Sequence, residues 1–233
     1  MWGRQEWVVA INRVAAEVLS RADYQQGAVD GLQLARRLGF DIFLDRQQAS
    51  RGRLKQFGCR RSIFLKPETR SERMHWAVCH ELGEGFAHRV FHDLGAEMEE
   101  IPPGMREQAA NWLAARLLLP EQTFFAEAER VQESLTALKS LYHTASYELI
   151  ATRLLDQPEL RCVTIFDQGR LSKRLTNLGE CGRELLPAER RCWETSHQEG
   201  RHIEQSVEQY SVNVWTIHEP QWKREIVITR PLL

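Results

Sequence analysis

The sequence lacks a surplus of charge of either sign. Across 233 residues, 31 Lys and Arg stand against 32 Asp and Glu, leaving a net charge of −1. Broad binding to a nucleic-acid backbone draws on a strong basic surplus, so nucleic acid is not an expected partner. Arg51, Arg53, Lys55, Arg60 and Arg61 make a small basic cluster, the usual composition of a solvated loop or strand face. Long apolar runs are also missing, so no bilayer-spanning segment and no membrane partner are expected. Arg4, Glu6 and Arg13 interrupt the first apolar stretch, which argues against a secretory signal. The five cysteines (Cys59, Cys79, Cys162, Cys181 and Cys192) are odd in number, widely spaced and without a Cys-x-x-Cys pair. That excludes a disulfide framework and a zinc–thiolate knuckle, and fits reduced thiols in a cytoplasmic protein. No internal repeat or low-complexity run occurs.

What is present is apolar content of 42%, over a length that suits one large domain, or a medium domain with a small appendage. Val8, Ile11, Val14, Ala15, Val18 and Leu19 recur at helical spacing, and a second helix near Val29–Leu38 is closed by Gly39. Residues 40–44 read as a strand. Arg53–Phe57 and Arg61–Leu65 read as a hairpin turning at Gly58. Thr69 and Glu72 have capping-box spacing ahead of a long proline-free helix through Met74, Ala77, Val78, Leu82 and Phe86. After Pro102-Pro103-Gly104, a helix over about Met105–Leu119 shows a small face of Ala109, Ala110 and Ala114. Pro120 stops it and starts the next. Helices are expected at about Glu121–Val131 and Ser146–Leu155. From about residue 161 the pattern alternates, with strand signals at Cys162–Asp167, Val212–Ile217 and Glu225–Thr229. The expected division is therefore 1–160, with a helical tail over about 121–160, and a small α/β or mostly β accessory unit at 161–233.

The chemistry sits in His80-Glu81-Leu82-Gly83-Glu84. Residues four apart share a helix face, so His80 and Glu84 project together, with Glu81 rotated by about 100°. That is the arrangement of the zinc-peptidase helix: two side chains one turn apart hold a divalent metal, and the glutamate after the first is general base on metal-bound water. A further protein ligand must come from elsewhere, and Glu107, in the first turn of the next helix, is the candidate. Taken alone, a His-Glu-x-x-Glu string is common by chance. Gly83 adds weight, because a helix-interior glycine costs about 1 kcal/mol and close approach of a neighbouring backbone would explain it. His88 lies eight residues from His80, about 12 Å along the axis, too far to share one ion. His75, His88 and His92 are read as surface or packing histidines, His143 is given no role, and Cys79 is read as buried and inert.

His80-Glu81-Leu82-Gly83, preceded by Arg73-Met74-x-x-Ala77 and followed by Glu107-x-x-Ala110-Asn111-x-x-Ala114-Ala115-x-Leu117-Leu118-Leu119-Pro120, resembles the ImmA/IrrE family of metallo-endopeptidases. The segment Val29-Asp30-x-x-x-Leu34-Ala35-x-x-Leu38-Gly39 is similar to that family's first helix–strand unit, and 138–155 to its helix-turn-helix-like tail. The resemblance spans about residues 25–155. It implies an α+β, zincin-like metallopeptidase domain, a small twisted sheet with helices carrying the metal motif, followed by the helical tail and a strand-rich C-terminal unit. It also implies His80 and Glu107 as metal ligands, Glu81 as general base, zinc as the metal, and a protein substrate such as a helix-turn-helix transcriptional repressor.

The second ligand in that family is a histidine, where this chain has Glu84. One histidine with two carboxylates cancels the charge of a divalent cation. That weakens activation of bound water and shifts preference toward manganese or other oxygen-preferring ions. Two functions follow: a metal-dependent endopeptidase, with the 53–65 strand pair offering an edge to an extended peptide, or a catalytically weak or inactive regulator acting by protein binding. The 146–155 helix offers only Arg153 as a basic contact, so packing against the peptidase core is expected of it rather than DNA reading.

Overall fold

Trp7, Ala10, Ile11, Val14, Ala15, Val18 and Leu19 form one buried stripe of helix α1 (Arg4–Arg21), so the first apolar pattern folds as its spacing requires. The structure is a computed structural model and describes residues 2–24, 26–179, 182–207 and 209–232. The chain forms two units, Met1–Ser146 and Tyr147–Leu233.

In the first unit, α2 (Gly31–Arg37) starts at Asp30, whose carboxylate accepts the Gln33 N–H at 3.0 Å. It ends at Gly39, whose φ of +82° reverses the chain into strand β1 (Phe40–Leu44). Strands β2 (Gly52–Phe57) and β3 (Arg60–Leu65) form the expected hairpin around Gly58, at φ +61°. β1 pairs parallel to β3, giving the order β1-β3-β2, so β2 has one free edge.

Helix α3 (Ser71–Asp93) crosses the unit, burying Val78, Leu82, Phe86, Val90 and Phe91. The capping box expected from Thr69 and Glu72 does not form. The N-cap is Arg70, which places Glu72 at the second helical position, too early to reach back, and its carboxylate instead takes the Lys139 ammonium at 2.7 Å. Helix α4 (Pro103–Leu118) packs against α3 and also against α1. Pro120 serves as N-cap of α5 (Glu121–Arg130), and α6 (Leu135–Leu141) follows from a Ser134 cap.

The second unit is a five-stranded antiparallel sheet built from β4 (Cys162–Asp167), β5 (Arg170–Thr176), β6 (Ile203–Val207), β7 (Tyr210–Glu219) and β8 (Trp222–Pro231). Its order is β5-β4-β8-β7-β6. β5 and β6 are consecutive strands at opposite edges, so the chain must cross a face between them. It does so as α8 (Pro187–Glu199), whose Ala188 and Cys192 pack with Phe166, Val212, Val214 and Val227. Neither α8 nor the two edge strands stood out in the polar sequence between the strand signals. Helix α7 (Tyr147–Arg153) packs on this sheet, with Glu148 bridging Lys173 and Arg224, although its place in the sequence suggested the peptidase core. Arg153 is buried and paired with Asp156, so it is not displayed as a reading group. The fold is α+β: a small mixed sheet with the long motif helices, then a strand-rich C-terminal unit.

Candidate metal centre

Helices α3 and α4 touch at Gly83. A Cβ there would lie 2.5 Å from the Ala110 carbonyl oxygen and 3.0 Å from its Cα, so only glycine allows this approach. The small residues Ala109, Ala110 and Ala114 are all buried along the contact. The backbone proximity expected from an interior glycine is present, and it brings Glu107 beside the middle of α3; because α4 starts at Pro103 rather than at Met105, Glu107 stands in its second turn and not its first.

As a result, His80 Nε2 faces two carboxylates. Glu84 Oε1 is 3.6 Å away and Glu107 Oε2 is 3.7 Å away. One ligand atom from each of the three residues lies within 4.8 Å of the other two. These separations are long for hydrogen bonds and close to the spacing of atoms that share one cation at about 2.0–2.2 Å. His80 Nδ1 is buried without a hydrogen-bond partner among the described residues, so no polar contact from that side competes for the orientation of the ring. The donor set, one imidazole and two carboxylates open to solvent on one side, fits a divalent cation. Asn111, one turn beyond Glu107, donates to Glu107 Oε1 at 3.0 Å and leaves Oε2 toward His80.

Glu81 takes a different surrounding. It is buried and lies against strand β2, where a Cβ on Gly52 would sit 2.4 Å from its Oε1. The Leu54 backbone N–H donates to its carboxylate. Burial first, then the Glu84 charge, push the Glu81 pKa up to about 7. The Glu84 carboxylate opposite it raises the His80 pKa against the effect of burial, with Glu107 adding to the rise, and His80 in turn lowers that of Glu84. A cleft of about 530 Å³ opens over these groups, with Arg51, Arg53 and Leu54 on one wall and Trp76 and Asn111 on the other.

The sequence pattern brought forward His80, Glu81, Glu84 and Glu107, and the structure brings all four to one cleft. It passed over Gly52, Leu54 and the tether from Asn111. The i,i+4 spacing of Glu107 and Asn111 carried that signal, and a glycine at a strand position marks close approach of another group. His88, His92 and His143 are exposed. His75 is buried and accepts the Gly31 N–H at 3.2 Å, a packing role. Cys79 is buried and free, and burial raises its thiol pKa far above the ordinary value, which makes it inert. Cys59, Cys162 and Cys192 are in no disulfide among the described residues, while Cys181 lies outside them.

The family model described as the IrrE N-terminal-like domain, Peptidase_M78, matches residues 35–155, which include all four site residues. No curated protein matches the chain significantly in sequence. Among solved structures, a Mycobacterium tuberculosis transcriptional regulator superposes with a TM-score of 0.69 at 15% identity, over 95% of this chain and 75% of that one. At that identity the likeness is one of fold. Residues 35–155 are just over half of the 233, and on that match the chain belongs to the Peptidase_M78 family of IrrE N-terminal-like domains.

Proposed function

We propose that the chain is a metal-dependent endopeptidase of the ImmA/IrrE type, acting in the cytoplasm on a regulatory protein such as a helix-turn-helix repressor. The observation that carries this reading is the convergence of His80, Glu84 and Glu107 beside a buried Glu81 in one open cleft. His80, Glu84 and Glu107 are the residues that would hold the metal. A divalent cation bound there supplies Lewis-acid polarisation of a peptide carbonyl and of water. The remaining work falls to the protein. Glu81 is the proton acceptor, held in orientation by the Leu54 N–H and by the backbone of Gly52. Strand β2, at the edge of its sheet and on the cleft wall, offers main-chain groups to an extended substrate by strand addition.

Zinc is the metal expected from family membership. Glu84 tilts the centre toward manganese or another oxygen-preferring ion, because the ligand charges cancel those of the cation. Incubating the full chain with zinc or manganese and candidate repressors tests the proposal. Cleavage abolished by Glu81→Gln supports it, and cleavage surviving that change sinks it.

Glu84 also favours a second reading, a regulator that keeps the cleft and binds a partner without cutting it. This reading expects substoichiometric metal after purification and unchanged partner binding in Glu81→Gln. Stoichiometric metal that is lost in His80→Ala counts against it.

A further inference from the structure

Helix α8 carries a fully buried carboxylate at one end and covers another at the other, and the two are treated differently. Glu189, in its first turn, is matched by a permanent cation: Arg174 Nη2 lies 2.9 Å from its Oε2, with Thr229 and the Leu186 N–H also donating. Glu225, on β8 beneath the last turns of α8, is equally inaccessible, with 0% side-chain exposure. No lysine or arginine among the described residues pairs with it. Its partners are two imidazoles and an indole. His197 Nδ1 is 2.8 Å and His218 Nε2 is 2.5 Å from the same oxygen, Oε1. Trp193 Nε1–H donates to Oε2 at 3.4 Å.

The placement follows from the sheet. Glu225 pairs across the ladder with Thr216, and His218 lies two residues farther along β7, on the same face as a diagonal neighbour. That face is the one α8 covers, and His197 projects onto it from the helix's last turn, just before the left-handed Gly200. Three different elements therefore deliver two nitrogens and one oxygen to a single point. All three ligand atoms lie within 4.8 Å of one another.

We propose that His197, His218 and Glu225 form a second divalent-metal site, separate from the His80 cleft and independent of whether that cleft cuts peptides. A buried carboxylate without a counter-charge is costly, and a cation seated among these atoms supplies the charge that Arg174 supplies to Glu189. The C-terminal end of α8 adds negative potential at the same place. Two imidazoles with one carboxylate select zinc, cobalt, nickel or ferrous iron over magnesium or calcium, which take oxygen ligands. A metal held at about 2.0–2.1 Å would spread the donor atoms to about 3.3 Å apart, a small rotation of each ring. The Trp193 N–H keeps the second carboxylate oxygen oriented. His197 and His218 are 31% and 20% exposed, which leaves a path for the ion and open positions for water or a further ligand.

Cobalt(II) alone is the probe, titrated into chelator-stripped full chain carrying His80→Ala, so that the first cleft is silenced. One equivalent per chain with visible d–d absorption is expected. Adding His218→Ala or His197→Ala, with the fold checked by circular dichroism, should weaken binding at least 100-fold. X-ray absorption on zinc-loaded His80→Ala protein should show imidazole scattering and no sulfur, and it needs no variant in the second site. The proposal is overturned if the His80→Ala chain takes up no cobalt, leaving a hydrogen-bonded His–Glu cluster. It is equally overturned if cobalt binds as tightly after both histidines are replaced in folded protein, or if the zinc spectrum shows thiolate.

Discussion

Gly83 is the residue on which the candidate centre depends most indirectly. Its missing side chain lets the Ala110 carbonyl approach α3, and that approach sets where Glu107 can reach. Gly83→Ala would gain nearly 1 kcal/mol of helix propensity but force backbone apart. A net loss of about 1–3 kcal/mol is expected from overpacking, read as a lower urea midpoint together with weaker metal binding. Glu84 is the other informative position. Glu84→His restores a ligand set with net positive charge, so zinc affinity and cleavage of any substrate should both rise, at least tenfold. If zinc affinity is unchanged, position 84 is not a ligand. Asn111→Ala removes the donor that orients Glu107, and metal affinity should fall about 10–100-fold, as measured by competition with a chelator.

At the scale of elements, the docking of α2 on α3 carries a pH dependence. His75 is buried in α3 and accepts the Gly31 N–H, so it sits neutral in the fold. Burial lowers its pKa below the ordinary 6.5, with Asp30 opposing, His143 and Lys139 assisting, and Glu72 opposing. As pH falls, the unfolded chain takes this proton first. The stability that His75 contributes is therefore complete above pH 6.5 and is lost as pH falls through the lower, folded value. Urea midpoints should drop below about pH 6.5, and the drop should shrink in His75→Gln. An identical pH profile in that variant would remove His75 as the cause. In the second unit, Arg174 is buried against Glu189 and Thr164. Arg174→Ala strands a buried carboxylate and should cost about 3–5 kcal/mol, seen as a lower thermal midpoint.

At the scale of the whole molecule, a net charge of −1 and the burial of Arg153 leave little to attract DNA. Fluorescence anisotropy with a labelled duplex should show no binding below roughly 100 µM protein at physiological salt, and tight, salt-sensitive binding would contradict this. Among the described residues no helix is long and apolar enough to cross a membrane.

The sequence by itself determined the elements with strong periodicity: α1, the β2–β3 hairpin, and the long helices α3 and α4. Apolar spacing and chain breakers act locally, and local rules are readable without a fold. It also put His80 and Glu84 on one helix face, because i,i+4 spacing is a local fact, and Gly83 announced a close neighbour. Only tertiary structure decided the rest. Whether Glu107 meets His80, whether Glu81 lies against Gly52, and where Thr69 stands relative to the true start of α3 depend on packing between distant segments. Helix α8 escaped notice because its charged, polar stretch gains its helical state by covering a sheet face, not from an apolar stripe. His197, His218 and Glu225 are brought together by ladder register and a crossing helix, and no spacing along the chain encodes a distance across strands.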